Sequence, residues 1–269
     1  MPNNNDVAVA ASVRYEVRRR VAILTIDRPE RHNAWDFDVE RMLFDFADAA
    51  DADPDVRVIV VTGSGTSFCP GMDISRLASL GAGPGVAERE RPPTHLRTIR
   101  KPTIAAINGG CAGIGIVQAL CCDIRIAAAE ARMSCAFPRR GAPAEYGAAW
   151  LLPRLIGLAD ATELLLTGRT FDAAEAERIR LVTTVRPRAE LMDYVLDYAA
   201  DIAAHCAPLA MEAAKTQLAA GATQTLPQAV DLARQLAHEP SRRPDLAEGA
   251  RAYLDKRPPR FVDLAQREA

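Results

Sequence analysis

Twice in its first half the chain runs from a β-branched segment into a glycine-rich turn and then a short helix. The first case is Val56–Val61 followed by Gly63 to Asp73 (GSGTSFCPGMD). The second is Thr103–Ile107, then Asn108 to Gly113, then a helix predicted over 114–122. Apolar runs of this length read as buried strands of a parallel sheet, which needs crossover connections. Further strands are predicted at 21–26, 124–128 and 132–135, and an amphipathic helix over 36–50. From Tyr146 onward helical period dominates, with helices predicted at 146–155, 160–167, 172–178, 188–206, 208–220, 225–238 and 244–255. The order predicts an α/β core followed by a helical region, with the crossover near residues 200–208. Residues 1–12 read as a frayed tail, 13–205 as the core and 206–269 as the helical region. The segment 80–93, rich in glycine, proline and charge, reads as a mobile surface loop.

Composition narrows the partners. The 269 residues are 49% hydrophobic with a net charge of −2, which argues against a disordered chain and against a nucleic-acid binder. No apolar run is long enough to cross a membrane, and the start has no secretory pattern, so a cytoplasmic protein is expected. Six cysteines (Cys69, Cys111, Cys121, Cys122, Cys135 and Cys206) never form CxxC, and read as reduced, mostly buried side chains. No Cys/His spacing suggests a metal site. Neither GxG segment completes a dinucleotide fingerprint, since Phe68 and Gln118 stand where the third glycine belongs. There is no P-loop, no GxSxG elbow and no HExxH.

Each glycine turn exposes backbone N–H groups, and the N-terminus of a helix adds positive partial charge. Two such turns converging can hold a developing oxyanion. Taken singly, each reads better as a tight strand-to-helix turn than as an anion site.

Five segments in order carry a resemblance. They are IDRPE (26–30) with Asn33-Ala34, VIVVTGSGTSFCPGMDISRL (58–77), KPTIAAINGGCAGIGIVQALCCDIRIAAAEARM (101–133), WLLPRLIGLADATELLLTGRTFDAAEAERIRLV (150–182) and EGARAYLDKRPPRF (248–261). Along residues 21–261 the chain resembles the enoyl-CoA hydratase/isomerase (crotonase) superfamily. The resemblance implies a ClpP/crotonase-like α/β spiral of ββα units with a C-terminal helical region that assembles a homotrimer or a hexamer. It implies an acyl-CoA thioester as substrate, and no metal or separate cofactor. The thioester carbonyl would be polarised by the backbone N–H groups of Met72 and Ile114, the latter where the family usually has glycine. Coenzyme A contacts would fall on Arg28, Arg31, Cys69, Gly71, Asp73 and Ile74, with Tyr253 and Lys256 reaching the site of a neighbouring subunit. Asp73 serves equally well as the cap of a following helix.

Hydratases of the family hold a water between two glutamates, and the corresponding positions here are Val117 and Phe137. With Trp150 these would line an acyl pocket. Glu145 remains, matching the single glutamate of Δ3,Δ2-enoyl-CoA isomerases, although Ala144 and Tyr146 flank it where that branch has a Pro-Glu-Gly-type turn. One carboxylate can take a proton from C2 and return it to C4. From spacing alone Glu145 reads as an acid in the first turn of a helix; the resemblance favours the catalytic role. Phe137 and Glu145 also have the spacing of an aromatic residue and a nucleophilic aspartate in the dehalogenase branch, whose histidine has no secure counterpart here. His95 reads as a solvent-facing loop residue. A non-catalytic acyl-CoA-binding homologue is the remaining alternative.

Overall fold

In the computed structural model, residues 12–73 and 90–264 are described. The tail 1–12 (except Ser12), residue Ile74 and most of the loop 80–93 therefore lie outside the described residues.

The larger sheet has six strands in the order β1-β2-β3-β5-β7-β10: β1 (Val13–Arg18), β2 (Val21–Ile26), β3 (Val58–Gly63), β5 (Thr103–Ile107), β7 (Ile124–Ala128) and β10 (Thr184–Arg186). From β2 to β10 all neighbours are parallel. Strands β2, β3 and β5 are buried along their whole length, the pattern of a sheet covered on both faces. A smaller sheet runs β4-β6-β8-β9: β4 (Ser67–Cys69), β6 (Gly110–Ala112), β8 (Arg132–Ser134) and β9 (Thr170–Asp172). The chain thus alternates a long strand in one sheet with a short one in the other, β3 to β4, β5 to β6 and β7 to β8. This is the ββα spiral expected from the resemblance.

Five strands were invisible in the sequence. Strand β1 buries only Val13, so it has no apolar run, and its hairpin to β2 turns on Arg19 and Arg20, both at positive φ (50° and 65°). Arginines do not advertise that turn as Asn-Gly would. Strands β4 and β6 lie inside the glycine turns read as loops, and three residues are too few to show a period. Strands β9 and β10 are likewise three residues long. The predicted strand 56–61 sits two residues later, and the helix predicted from 146 begins at Ala148 because Tyr146 and Gly147 have left-handed φ (57° and 76°).

Helix α1 (Phe37–Ala52) starts at Asp36, whose side chain accepts from Val39 N at 2.9 Å. It buries Val39, Leu43, Phe44, Ala47 and Ala50 against β1 and β2. Helix α2 (Ile114–Cys121) is buried all round. Helices α3 (Ala148–Ile156), α4 (Leu158–Thr167) and α5 (Ala173–Arg178) follow, and α3 packs on α2. Helix α6 (Arg188–His205) lies across the larger sheet through Leu191, Val195, Ala199 and Ala203, a stripe at four-residue spacing.

The last helices differ in kind. Helix α7 (Pro208–Ala220) buries only Pro208, and α8 (Leu226–His238) buries nothing. Helix α9 (Arg243–Leu254) buries Asp245 and Ala252. Residues after it return to the core, where the buried Arg57 guanidinium donates to Ala203 O, Phe261 O and Asp263 Oδ1 at 3.0, 2.7 and 2.8 Å. No helix among the described residues is long and apolar enough to cross a membrane.

Candidate active site

Strands β4 and β6 are parallel neighbours, with Cys69 opposite Cys111. Their C-terminal ends therefore release two turns side by side: residues 70–73, and Gly113 leading into α2. The backbones of the two turns touch. A methyl group built on Gly113 (φ 55°) would lie 3.6 Å from Gly71 Cα, and one on Gly71 (φ 117°) 3.3 Å from Ala112 O. Only glycine adopts both conformations without strain while allowing that approach. The residues that follow these glycines are Met72 and Ile114, so the structure brings the two expected donors together.

Each N–H is available for a chemical reason. Met72 forms an isolated parallel bridge with Trp35 in which Trp35 N donates to Gly71 O and Asp73 N donates to Trp35 O, both at 2.8 Å. Bonds from the residues on either side leave the Met72 N–H aimed away from Trp35. Ile114 is the first residue of α2, where N–H groups have no intrahelical acceptor and the helix dipole is positive. The isoleucine side chain is buried, 2% exposed, so it packs inward.

The first turn of α2 is held against the end of β4. A methyl group on Gly115 would lie 2.1 Å from Cys69 O and 2.8 Å from Cys69 Cβ. Gly115→Ala is therefore expected to destabilise the fold by about 3 kcal/mol and to separate the two donor turns; urea unfolding and turnover measured together would check it.

A strap of residues 28–36 fixes the first turn. Asn33, fully buried, donates from Nδ2 to Ser64 O and Ser67 O at 2.9 and 2.6 Å and accepts from Arg28 N at 2.9 Å. Asn108 does the same between the sheets, donating to Gly63 O at 2.8 Å and accepting from Gly63 N at 3.3 Å. These two positioning residues were missed as such; the available signal was an amide side chain beside glycine inside a buried run. Arg28 donates to Ala34 O at 2.8 Å and Asp36 Oδ2 at 2.6 Å, with Asp73 Oδ2 at 3.7 Å. Arg31, half-exposed, donates to Asp73 Oδ2 at 2.9 Å. Arg28 is thus engaged within the chain, whereas Arg31 is open to solvent. The carboxylate of Asp73 ties the donor turn to this strap.

The other expected residues separate into groups. Cys69 ends β4, and burial pushes its thiol up to about 12, so it is no thiolate nucleophile. Val117 is fully buried and Phe137 is 5% exposed. Glu145 is exposed in the turn before α3, its carbonyl accepting from Ala148 N at 3.1 Å. Trp150 is not enclosed with Val117 and Phe137: it is 43% exposed, with Arg154 Cζ 3.8 Å and Arg97 Cζ 5.6 Å from its ring centroid. Tyr253, 84% exposed, and Lys256 lie on the C-terminal helix and the turn after it. His95 is not solvent-facing: Nε2 lies 2.7 Å from Asp48 Oδ1 and the ring packs on Phe44 at 5.0 Å. The six cysteines are free thiols, Cys206 alone exposed. Among the described residues no group of three His, Cys, Asp or Glu side chains could hold a metal ion.

The family model described as enoyl-CoA hydratase/isomerase matches residues 16–264. A probable enoyl-CoA hydratase of Rhodobacter capsulatus is 35% identical over 254 residues, covering 93% of this chain and 98% of its own. The crystal structure of a probable enoyl-CoA hydratase/isomerase from Mycobacterium abscessus is similar with a TM-score of 0.86 at 35% identity, over 94% of this chain and 99% of that one. The enoyl-CoA hydratase EchA12_1 of Mycobacterium marinum is 45% identical with a TM-score of 0.69, over 80% of this chain and all of its own.

Proposed function

The chain belongs to the enoyl-CoA hydratase/isomerase family, and on that premise we propose that it moves the double bond of a 3-enoyl-CoA to the 2-position with one carboxylate, Glu145. The touching turns at Gly71 and Gly113 would receive the thioester oxygen between the Met72 and Ile114 N–H groups. Polarisation there acidifies C2 and stabilises the dienolate that forms when its proton leaves. Glu145 takes that proton and returns one to C4, so charge and atoms balance without a redox group or metal.

One observation carries this reading over hydration. Between Cys111 and Cys122, and between Met133 and Trp150, the chain contains a single carboxylate, Glu145. Val117 and Phe137 are buried and apolar, and neither can hold a water or take its proton. Arg31 is the basic residue of the strap open to a coenzyme A phosphate, while Arg28 and Asp73 position the donor turn.

The purified protein is expected to convert a 3-enoyl-CoA and to add no water to a 2-enoyl-CoA, followed by enoyl-thioester absorbance and product mass. Efficient hydration would overturn the single-carboxylate mechanism in favour of the activity named in the relatives. The exposure of Glu145 favours a second reading, an acyl-CoA-binding protein without turnover. Tight thioester binding with neither conversion would select it, or another thioester reaction such as the dehalogenase type.

The oligomer belongs to the same proposal. Leu218, Leu226, Leu246 and Leu254 on α7 to α9 are 77–80% exposed, apolar area that a lone subunit leaves in water. A homotrimer or hexamer formed through this region would also carry Tyr253 and Lys256 to a neighbour. Light scattering is expected to give three or six times the 29.1 kDa subunit mass; a monomer would remove both statements.

A further inference from the structure

We propose that Gln118 is a positioning residue for the Ile114 donor: its side-chain amide locks α2 to the segment 92–98, and through that segment to α1 and Trp35, which holds the Met72 donor. The inference rests on the thioester reading above and names a residue that sets the spacing of the same two N–H groups.

Helix α2 is buried all round, and Gln118 carries its one side-chain amide, the other residues being apolar, glycine or cysteine. Apolar contacts have no direction, so by themselves they do not fix how such a helix is rotated. A hydrogen bond has direction. Gln118, fully buried, donates from Nε2 to Pro93 O at 2.8 Å. Its Oε1 is buried and has no hydrogen-bond partner among the described residues. A methionine would fill the same space without burying an unpaired acceptor, so packing does not account for the amide. What the amide adds is the bond to Pro93. Gln118 stands four residues beyond Ile114, about one turn. Within a helix of eight residues the two positions move together, so what fixes Gln118 aims the N–H of Ile114.

Pro93 belongs to a segment anchored on α1. His95 Nε2 lies 2.7 Å from Asp48 Oδ1, Arg91 donates to Asp45 Oδ1 at 2.6 Å, and the turn His95–Thr98 packs on both α1 and α2. The His95 ring packs on Phe44 at 5.0 Å, and Phe44 on Trp35 at 6.3 Å. Trp35 and Phe44 are buried, and the Trp35 backbone holds Gly71 and Asp73 on either side of Met72. The two donor turns are thus joined twice. One tie is direct, where β4 pairs with β6, and it is short, with a register irregularity between Ser67 and Cys69. The other runs through Trp35, Phe44, His95, Pro93 and Gln118. The second tie adds the constraint on relative tilt that two three-residue strands lack.

Gln118→Met tests this, since its side chain has similar length and no donor. Octanoyl-CoA, which cannot react, carries a heavy carbon isotope at the carbonyl. Hydrogen bonds to that oxygen lower its infrared stretching frequency, so the band reports the donors directly. The unaltered protein is expected to shift the band downward on binding. Gln118→Met is expected to lose part of that shift and to lower kcat for a 3-enoyl-CoA about tenfold, less than the ~10²-fold that a misplacement of about 1 Å can cost. Octanoyl-CoA affinity and melting temperature should stay unchanged. Asp48→Ala, at a half-exposed position on α1, loosens the far end of the same route and should give a smaller loss of the same kind. The double variant should lose no more than Gln118→Met alone, because both changes cut one route. Unchanged band and turnover in Gln118→Met overturn the proposal. Lower turnover with an unchanged band overturns it too, as do losses that multiply in the double variant. Where Gln118→Met fails to fold, Asp48→Ala decides alone, and an unchanged band there overturns the proposal. An unshifted band in the unaltered protein overturns the donor pair and the thioester reading with it.

Discussion

Glu145→Gln is expected to lower turnover of a 3-enoyl-CoA by about 10²–10⁴-fold while leaving thermal stability and thioester affinity unchanged. The amide matches the carboxylate in size and cannot accept the C2 proton. The side chain is exposed in the turn before α3, so the substitution removes no packing, and surface changes of this kind stay within about 0.5 kcal/mol. No other carboxylate stands in the turn or on α2 to substitute for it. Turnover retained in the variant would remove Glu145 from the reaction. Turnover lost together with thioester binding would make it a binding residue.

Ile114→Pro tests the other half of the site. A side-chain substitution rarely removes a backbone donor, but here the geometry permits it. Ile114 is the first residue of α2, where proline is tolerated because its N–H has no helical acceptor. The preceding Gly113 is at φ 55° and ψ −123°, outside the α region that a following proline disfavours. Proline therefore deletes the proposed oxyanion donor and keeps the helix. Turnover is expected to fall about 10²–10³-fold, the usual loss for one such donor. Ile114→Ala is the control, since it gives up comparable buried side chain and keeps the N–H. Equal turnover in the two variants would place the oxyanion elsewhere; a loss confined to proline would identify the donor.

Much of the fold was legible because its long strands are unbroken apolar runs. Val21–Ile26 and Thr103–Ile107 agree with their predicted bounds residue for residue, and the helices 208–220 and 114–121 fall within one residue of theirs. The elements missed were those whose pattern is shorter than a period or hidden by unusual turn residues, as at β4, β6, β10 and the Arg19-Arg20 hairpin. The site divides similarly. That Met72 and Ile114 follow glycines was visible; that the glycines meet depended on β4 and β6 pairing, which the sequence did not disclose. The partners of Arg28 and the exposure of Trp150 were hidden for the same reason, since both depend on residues that neighbour them only in space.

The sequence by itself determined the alternation of buried strand, glycine turn and helix, the family, and the chemistry the chain can offer: apolar residues at 117 and 137 and one carboxylate at 145. These are properties of residue type and order, which local sterics and hydrophobicity read directly. Tertiary structure alone decided that two donor turns lie side by side, that Asn33 and Asn108 hold them, and that two arginines meet at one indole. Each of these is a contact between segments far apart in the chain, and a parallel sheet, whose neighbouring strands are joined by long crossovers, is where such contacts are made.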